Sequence, residues 1–231
     1  MERALEAVTD GVWTARDEVR LPGGVRFPLR MTIVSLPGGD LWLYSPVAIH
    51  DPLGREIDAL GPVRHVVVPS TQHTLHAKST KARWPAATLW GPEKLKDERP
   101  DLGIERVLPH GTSDAWGNQI EPLAIEGAPR LSEFEMLHKP SRSLMICDLA
   151  FHFAPSNLST SLLLRAVGCH GKMAASRSWS WVFAKDKPAV GASVRRVLDR
   201  DFDRLIPCHG EIVAPGGRAA LRKAVATLAA W

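Results

Sequence analysis

Histidine and aspartate residues follow three apolar segments of this sequence, at positions where they could bind a metal ion. The segment VVVPS is followed by His73 and His76, SLMIC by Asp148, and RLIPC by His209. Each apolar run is typical of a buried strand. Because side chains at the carboxyl ends of parallel strands project into a shared crevice, we expect these residues to lie close together. Imidazole nitrogens and carboxylate oxygens are ligands of zinc, so the pattern predicts a metal site.

The elements that must position these residues form a mixed pattern. The first part of the chain reads as antiparallel strands, followed by a helix with Asp51 as N-cap and then a buried strand over residues 64–70. Later strands alternate with single helices, which predicts α/β layers over two sheets. The predicted strands are 11–21, 30–35, 41–45, 64–70, 87–90, 105–108, 119–125, 133–138 and 143–147. The predicted helices are 51–60, 76–83, 92–97, 158–167, 192–199 and 218–228.

The three motifs, taken in order, resemble the metallo-β-lactamase superfamily. The closest resemblance is to a bacterial and plant group known only as a domain of unknown function. LMICDLAF is similar to the strand-then-aspartate motif of the superfamily, and DRLIPCHGEIV to its final strand-then-His-Gly motif. The resemblance extends from about Val12 to the C-terminal helix. It implies a four-layer αββα sandwich of the metallo-β-lactamase type, and we expect one domain over residues 1–231.

The first metal motif of the superfamily, His-x-His-x-Asp-His, is only partly present. Aligned on its last histidine, the four positions are Thr71, His73, Leu75 and His76. Leu75 stands where the superfamily has an aspartate that binds the second metal and handles protons. The Gly-His-Thr motif that the superfamily places before the aspartate is replaced by EGAPRLSE, which contains no histidine. The resemblance therefore implies an incomplete site.

The retained ligands divide unevenly between the two metal positions of the superfamily. The resemblance places His76 and His209 on one metal and His73 on the other, with Asp148 bridging. We therefore expect a single zinc or iron ion held by His76, Asp148 and His209, with His73 nearby. Three protein ligands and a water form the open arrangement of a catalytic zinc.

Hairpin geometry selects a substitute for the missing histidine ligand. If residues 139–142 form the turn, His138 pairs with Ser143 and Asp148 then faces Glu133. His138 would lie roughly 17 Å from that end at ~3.3 Å per residue. Glu133 is thus a better substitute ligand than His138.

The other chemically interesting residues receive structural interpretations. Cys147 and Cys208 directly precede candidate ligands, and neighbours on a strand point to opposite faces, so both are expected in the core. His65 is expected to be a hydrogen-bonded core histidine. Trp179 and Trp181 alternate like one face of an extended segment. That alternation favours core or lid packing, with a substrate wall or nucleic-acid contact as the weaker alternatives.

Composition excludes several classes of protein. The chain has 231 residues, of which 45% are hydrophobic and 23% charged, values that exclude disordered and fibrous proteins. A formal net charge of +4 does not argue for a nucleic-acid partner. No apolar run approaches the ~20 residues of a membrane span. The N-terminal segment MERALEAVTDGVW lacks a signal-peptide pattern, so we expect a cytoplasmic protein without membrane partners.

These observations lead to two hypotheses about function. The first is a metal-dependent hydrolase of an unknown small molecule, in which Asp148 binds the metal and orients the attacking water. The second is a non-catalytic member of the fold that binds a ligand or partner and has a remnant metal site or none. Leu75 and the missing histidine favour the second hypothesis. The sequence leaves the substrate, the metal and the oligomeric state open.

Overall fold

The computed structural model describes residues 5–231. Residues 1–4 lie outside the described residues. They begin the N-terminal segment that was predicted not to be a signal peptide. The strands are β1 (Leu5–Thr9), β2 (Val12–Leu21), β3 (Val25–Ser35), β4 (Leu41–Tyr44), β5 (Val63–Val67), β6 (Thr88–Gly91), β7 (Arg106–Val107), β8 (Ile120–Ala124), β9 (Phe134–His138), β10 (Ser143–Ile146) and β11 (Arg204–Pro207). The helices are α1 (Asp51–Leu60), α2 (Ala77–Arg83), α3 (Glu93–Glu98), α4 (Leu158–Val167), α5 (Lys187–Leu198), α6 (Gly217–Ala224) and α7 (Ala226–Ala229).

The strands form two sheets. The first sheet has the order β1-β2-β3-β4-β5-β6-β7, with antiparallel pairing from β1 to β4 and parallel pairing from β4 to β7. The second has the order β11-β10-β9-β8, in which only β10 and β11 are parallel. In the β9–β10 hairpin, Ser143 pairs with His138, as the hairpin count predicted.

Alternating side chains divide the core into three apolar layers. On β4, Leu41 and Leu43 pack toward α1, α2 and α3, whereas Trp42 and Tyr44 pack between the sheets. On β10, Leu144 and Ile146 pack toward α5, α6 and α7, and Met145 packs between the sheets. Successive residues of a strand face opposite sides, so each sheet is covered on both faces. The predicted αββα sandwich is confirmed.

The sequence predicted that the site lies at the ends of parallel strands that share one crevice. In the structure, the three strand ends belong to two different sheets. β10 and β11 are parallel neighbours in the second sheet, but β5 lies in the first. The ends still meet because the two sheets are bonded to each other at this edge. The Phe134 N–H donates to the Pro69 carbonyl at 2.9 Å, and the Tyr44 hydroxyl donates to the Phe134 carbonyl at 3.0 Å.

Two local predictions were wrong. The N-cap of α1 is His50, whose Nδ1 accepts from the Leu53 N–H at 3.3 Å, rather than Asp51. The tryptophan segment is not extended, because Trp179–Phe183 forms a π-helical turn. This turn buries Trp179 completely and leaves Trp181 72% exposed, so the two rings do not share a face.

Further differences concern element ends. β1 was not predicted and pairs with β2 at the edge of the first sheet. α5 begins at Lys187, five residues earlier than expected, because Asp186 caps it by accepting from the Ala189 N–H at 3.0 Å. The expected terminal helix is two helices that meet at Val225. Among residues 5–231, no helix has the length and hydropathy needed to cross a membrane.

Candidate metal centre

His73, Asp148 and His209 converge at the edge where the two sheets meet. His73 lies in the loop after β5, and Asp148 and His209 each lie two residues beyond the end of a strand, β10 and β11 respectively. One donor atom from each lies within 4.8 Å of the others. Asp148 Oδ2 is 3.6 Å from His73 Nε2, and Asp148 Oδ1 is 3.3 Å from His209 Nε2. The two imidazole Nε2 atoms are 3.1 Å apart. We call this group the outer trio.

The Nδ1 atoms of both imidazoles already have hydrogen-bond partners. His209 Nδ1 lies 2.8 Å from the Pro28 carbonyl, which can only accept, so Nδ1 carries the proton. His73 Nδ1 lies 2.8 Å from Ser45 Oγ. A hydrogen bond on the second ring nitrogen fixes the tautomer of a metal-binding histidine. In the neutral tautomer of His209, the Nε2 lone pair therefore points into the trio and can bind a cation.

Asp148 is held in its ionised form. Burial acts to raise the pKa of this carboxyl, but the charge of His73, a hydrogen bond from each of His209 and His73, and the charge of His209 outweigh it. The net effect is a pKa well below the usual range for aspartate. The site therefore presents a carboxylate at neutral pH, as metal binding requires.

The loop that carries His209 is clamped by neighbouring backbone. Gly210 has a φ of +123°, and a Cβ at this position would lie 1.9 Å from the His152 carbonyl oxygen. The His152 N–H donates to the His209 carbonyl at 3.0 Å, and the buried Arg30 donates to the Gly210 carbonyl at 2.6 Å. Only glycine fits this close approach, which explains the His-Gly motif.

His76 lies outside the trio, contrary to its predicted place beside Asp148 and His209. It precedes α2, and its Nε2 lies 3.8 Å from Asp17 Oδ2. Burial lowers the pKa of His76 despite the opposing charge of Asp17. The positions of His73 and His76 are thus the reverse of the expected ones.

Glu133 reaches the site from the side that hairpin counting indicated. It is fully buried, and one of its oxygens lies within 4.8 Å of donor atoms of Cys147 and Asp148. Burial and the neighbouring Glu135 raise the pKa of Glu133 well above its usual range. Burial also raises the pKa of Glu135, to about 7. Cys147 and Cys208 are buried free thiols, as predicted.

His138 and His65, which the sequence did not predict to bind metal, lie apart from the trio. His138 is buried, and its Nδ1 lies 2.7 Å from Ser141 Oγ. Burial lowers the pKa of His138 to about 4. His65 Nδ1 accepts from the Trp90 indole N–H at 3.1 Å, as expected of a hydrogen-bonded structural histidine.

A cavity of about 480 Å³ opens onto the outer trio and His76. Its other walls come mainly from apolar side chains of β2, β3, α4 and adjoining loops, among them Val19, Phe27, Leu75 and Leu164. Among the described residues, those that line it include no lysine or arginine. The volume is typical of a small-molecule site.

Sequence reasoning missed three residues that shape the site. Ser45 contacts His73 from a backbone conformation with φ of +57°, which is uncommon for a residue other than glycine. Arg30 is a buried cation within an apolar strand, and that unusual placement was a signal available in the sequence. Glu135 accepts from the Cys147 N–H at 2.8 Å. Its two-residue spacing from Glu133 was a second available signal.

Comparison with known proteins identifies a family and a fold. The profile of a family described as "Domain of unknown function (DUF4336)" matches residues 9–162, a span that includes His73 and Asp148 and ends before His209. No curated protein matches the sequence.

Solved structures with the same fold include metallo-β-lactamases. The FIM-1 enzyme from Pseudomonas aeruginosa, described in a mono-zinc form, is 17% identical with a TM-score of 0.67, and the match covers 98% of this chain and 94% of that chain. An enzyme from Pontibacter korlensis is 15% identical with a TM-score of 0.67 and 97% coverage of both chains. One from Erythrobacter litoralis is 16% identical with a TM-score of 0.64, covering 98% of this chain and 92% of that one. At this identity the comparison establishes the metallo-β-lactamase fold.

Proposed function

This chain belongs to the family described as "Domain of unknown function (DUF4336)", a description that carries no activity, and we propose from its own geometry that it is a metal-dependent hydrolase of small, uncharged, apolar molecules. One observation carries the proposal: two imidazole nitrogens and an ionised carboxylate converge at the wall of an apolar cavity. Open metal sites of hydrolases have this composition of nitrogen and oxygen ligands.

The residues present fit one zinc or iron ion. His73, Asp148 and His209 supply three ligand atoms, and the Nε2 atoms of the two histidines would otherwise face each other at 3.1 Å. A bound ion of this kind lowers the pKa of a coordinated water toward ~7 and polarises a carbonyl group. The FIM-1 enzyme with the same fold is described in a mono-zinc form, which supports a site for a single ion.

The chain's own groups would then position water and move protons. Asp148 holds a negative charge beside the cavity and can accept a hydrogen bond from the attacking water. Leu75, which is 64% exposed, offers no acid at the position where the superfamily has one. His76 lies on the same cavity wall, and burial lowers its pKa, which favours the neutral imidazole that can accept a proton. We assign His76 to proton transfer rather than to metal binding.

The cavity wall selects the class of substrate. Sites that bind phosphate or carboxylate groups supply cationic side chains for charge-assisted hydrogen bonds. Among the described residues that line this cavity there is no lysine or arginine, and most of them are apolar. An uncharged ester or amide with an apolar acyl group matches this wall better than a phosphoester does.

Hydrolysis of paired chromogenic esters tests the proposal. Zinc-loaded protein should hydrolyse p-nitrophenyl butyrate and leave p-nitrophenyl phosphate intact. Asp148→Asn and His209→Ala should each lower kcat/KM for the butyrate by more than about 100-fold, because removing even a residue that supports a ligand costs 10–100-fold. His65→Ala, which lies outside the trio, should retain activity. Activity that is equal without metal, or unchanged in both trio variants, would contradict the proposal.

A ligand-binding role without catalysis is the second candidate. The exposed Leu75 in place of an acidic residue favours it, because the usual proton shuttle is missing. This candidate predicts that zinc binds, that apolar esters bind in the cavity, and that no ester is turned over. Measuring zinc affinity and ester binding by calorimetry alongside turnover separates the two functions.

A further inference from the structure

Exposed apolar side chains surround the mouth of the cavity. Among residues 5–231, large apolar side chains are exposed at seven positions, and six of these lie on elements that wall the cavity. The seventh, Val107, lies on β7 and does not line it. We call the six the apolar rim: Leu21, Leu75, Leu158, Leu162, Trp181 and Val182. Grouped exposure of this kind marks a surface that contacts another molecule.

The elements that carry the rim are joined to one another. The Arg26 N–H on β3 donates to Thr160 Oγ1 on α4 at 2.9 Å. At the other end of α4, the Val167 carbonyl accepts from the Arg177 N–H at 2.8 Å, just before the π-helical turn. α4 therefore lies between the β2–β3 hairpin and the turn, and the three form a continuous border of the cavity.

α4 has apolar side chains on its exposed face as well as on its buried one. Thr160 and Leu164 are buried, and Leu163 lines the cavity. Leu158 and Leu162, four residues apart on the other side, are 75% and 59% exposed. A surface helix of a globular protein normally presents charged or polar side chains there. The fold thus leaves an apolar helix face uncovered beside the cavity.

The positive charge of the chain is concentrated in the segment that supplies most of the rim. Residues 151–187 contain five lysine or arginine residues and one acidic residue, Asp186, which caps α5. The net charge of this segment is +4, equal to that of the whole chain, so the rest of the chain has balanced charges. All five basic side chains are exposed: Arg165, Lys172, Arg177, Lys185 and Lys187.

The combination of an apolar rim with basic neighbours distinguishes between occupants. In a two-fold dimer the same surface of each copy meets, so two basic segments would be brought together and repel. A bilayer that contains anionic lipids matches both features, because acyl chains accept the apolar side chains and the headgroups attract lysine and arginine. The exposed Trp181 is of the residue type enriched at this boundary.

We propose that the apolar rim docks on the surface of an anionic lipid bilayer, with Leu162 and Trp181 at the acyl boundary and the basic side chains among the headgroups. The expectation of no membrane partner rested on the lack of a spanning segment, which binding at the surface does not require. Docking would place the cavity mouth against the bilayer, where apolar molecules concentrate. The contact needs neither metal nor turnover, so it is independent of the proposed hydrolase.

Sedimentation with lipid vesicles tests this docking surface. The unmodified chain should bind vesicles of phosphatidylcholine and phosphatidylglycerol in equal parts, and bind phosphatidylcholine vesicles more weakly. Added salt should weaken binding to the mixed vesicles. Leu162→Ser and Trp181→Ser should each weaken that binding about tenfold, because each removes apolar surface that the bilayer would bury. Lys172→Gln and Lys185→Gln should each weaken it about fivefold, the contribution of one basic side chain at an anionic surface.

Two matched variants serve as controls. Val107→Ser removes an exposed apolar side chain from β7, and Lys139→Gln removes an exposed charge from the turn after β9. Both should bind the mixed vesicles as tightly as the unmodified chain does. Quenching of tryptophan fluorescence by brominated acyl chains gives an independent readout. Trp181→Phe should lose most of this quenching, although the other tryptophans of the chain remain.

Three results would overturn the docking surface. The first is no binding to the mixed vesicles at low salt, a result that leaves ester hydrolysis untouched. The second is unchanged binding in both Leu162→Ser and Trp181→Ser, or equal losses in Val107→Ser, since the contact would then not involve the rim. The third is a dimer in solution that dissociates in Leu162→Ser, which would show that a second copy of the chain covers the rim.

Discussion

The two imidazoles of the outer trio are fixed by what their other nitrogens contact. His209 must donate through Nδ1, because the Pro28 carbonyl has no proton to give. Its Nε2 then faces His73 Nε2 at 3.1 Å, so in the metal-free site the neutral tautomer of His73 that carries its proton on Nε2 donates to it. A metal ion at the trio would take the place of that proton between the two Nε2 atoms.

His138 provides a pH-dependent contribution to stability that is separate from the metal centre. Its pKa falls from 6.5 to about 4 because of burial. The unfolded chain therefore takes up a proton on His138 at a higher pH than the folded chain does. The contribution of His138 to the free energy of unfolding is therefore fully present above about pH 6.5 and is lost progressively as the pH falls toward about 4. At ~1.4 kcal/mol per pKa unit, the loss is about 3 kcal/mol.

Denaturant unfolding of metal-free protein between pH 4 and pH 7 measures this contribution. Other histidines also titrate in that range, so the difference between the unmodified chain and His138→Gln isolates it. We expect the free energy of unfolding of His138→Gln to fall less steeply with acidification. Parallel curves for the two proteins would contradict the burial-driven shift.

At the scale of residues, the sequence named His73, Asp148 and His209 as candidate ligands. It assigned the metal to His76 rather than to His73. Apolar runs followed by His73, Asp148 and His209 placed all three at strand ends, where they lie. The roles of His73 and His76 could not be distinguished, because three residues of spacing say nothing about a partner on another element. Asp17 on β2, which His76 approaches at 3.8 Å, is 59 residues earlier in the chain.

At the scale of elements, the turn after β11 aligns His209 with the trio. Gly210→Ala should lower the free energy of unfolding by more than about 3 kcal/mol and weaken zinc binding. Its added Cβ would lie 1.9 Å from the His152 carbonyl and require a φ that alanine avoids. The measurements are denaturant unfolding of the metal-free variant and zinc calorimetry.

Gly111→Ala serves as the control for Gly210→Ala. Gly111 has a φ of +96°, but an added Cβ would meet nothing within 4 Å. The free energy of unfolding of this variant should fall only by the conformational cost of about 1–2 kcal/mol, and its zinc affinity should be unchanged. Equal losses in the two variants would show that the clash with His152 does not determine the position of the turn.

Element positions followed from sequence more closely than element partners did. Turn residues and apolar runs located most strands, and the exact span of α4 was predicted. The sheet membership of β5 was not, because a strand buried on both faces has the same apolar pattern in either sheet. The π-helical turn at Trp179–Phe183 was missed for a related reason. Trp179 is fixed by its indole N–H donating to the Asp148 carbonyl at 3.0 Å, a contact that alternation cannot reveal.

At the scale of the whole molecule, the four layers leave one edge of the sandwich for chemistry. Apolar layers fill the spaces between helices and sheets and between the two sheets. The strand ends at the remaining edge carry the outer trio, and α4 and the β2–β3 hairpin border the cavity above it. The strand and helix pattern predicted α/β layers over two sheets, and the resemblance carried by the motif order implied the exact four-layer arrangement. The apolar cavity was not predictable, since it depends on side chains brought together from distant segments.

The measurement that tests the central claim most directly is a zinc-loaded crystal structure with anomalous scattering collected at the zinc edge. We predict a peak at about 2.0–2.2 Å from Nε2 of His73, Nε2 of His209 and a carboxylate oxygen of Asp148. Saturating zinc with no peak at the trio, or a peak at His76 and Asp17 instead, would contradict the assignment of this edge as the metal centre.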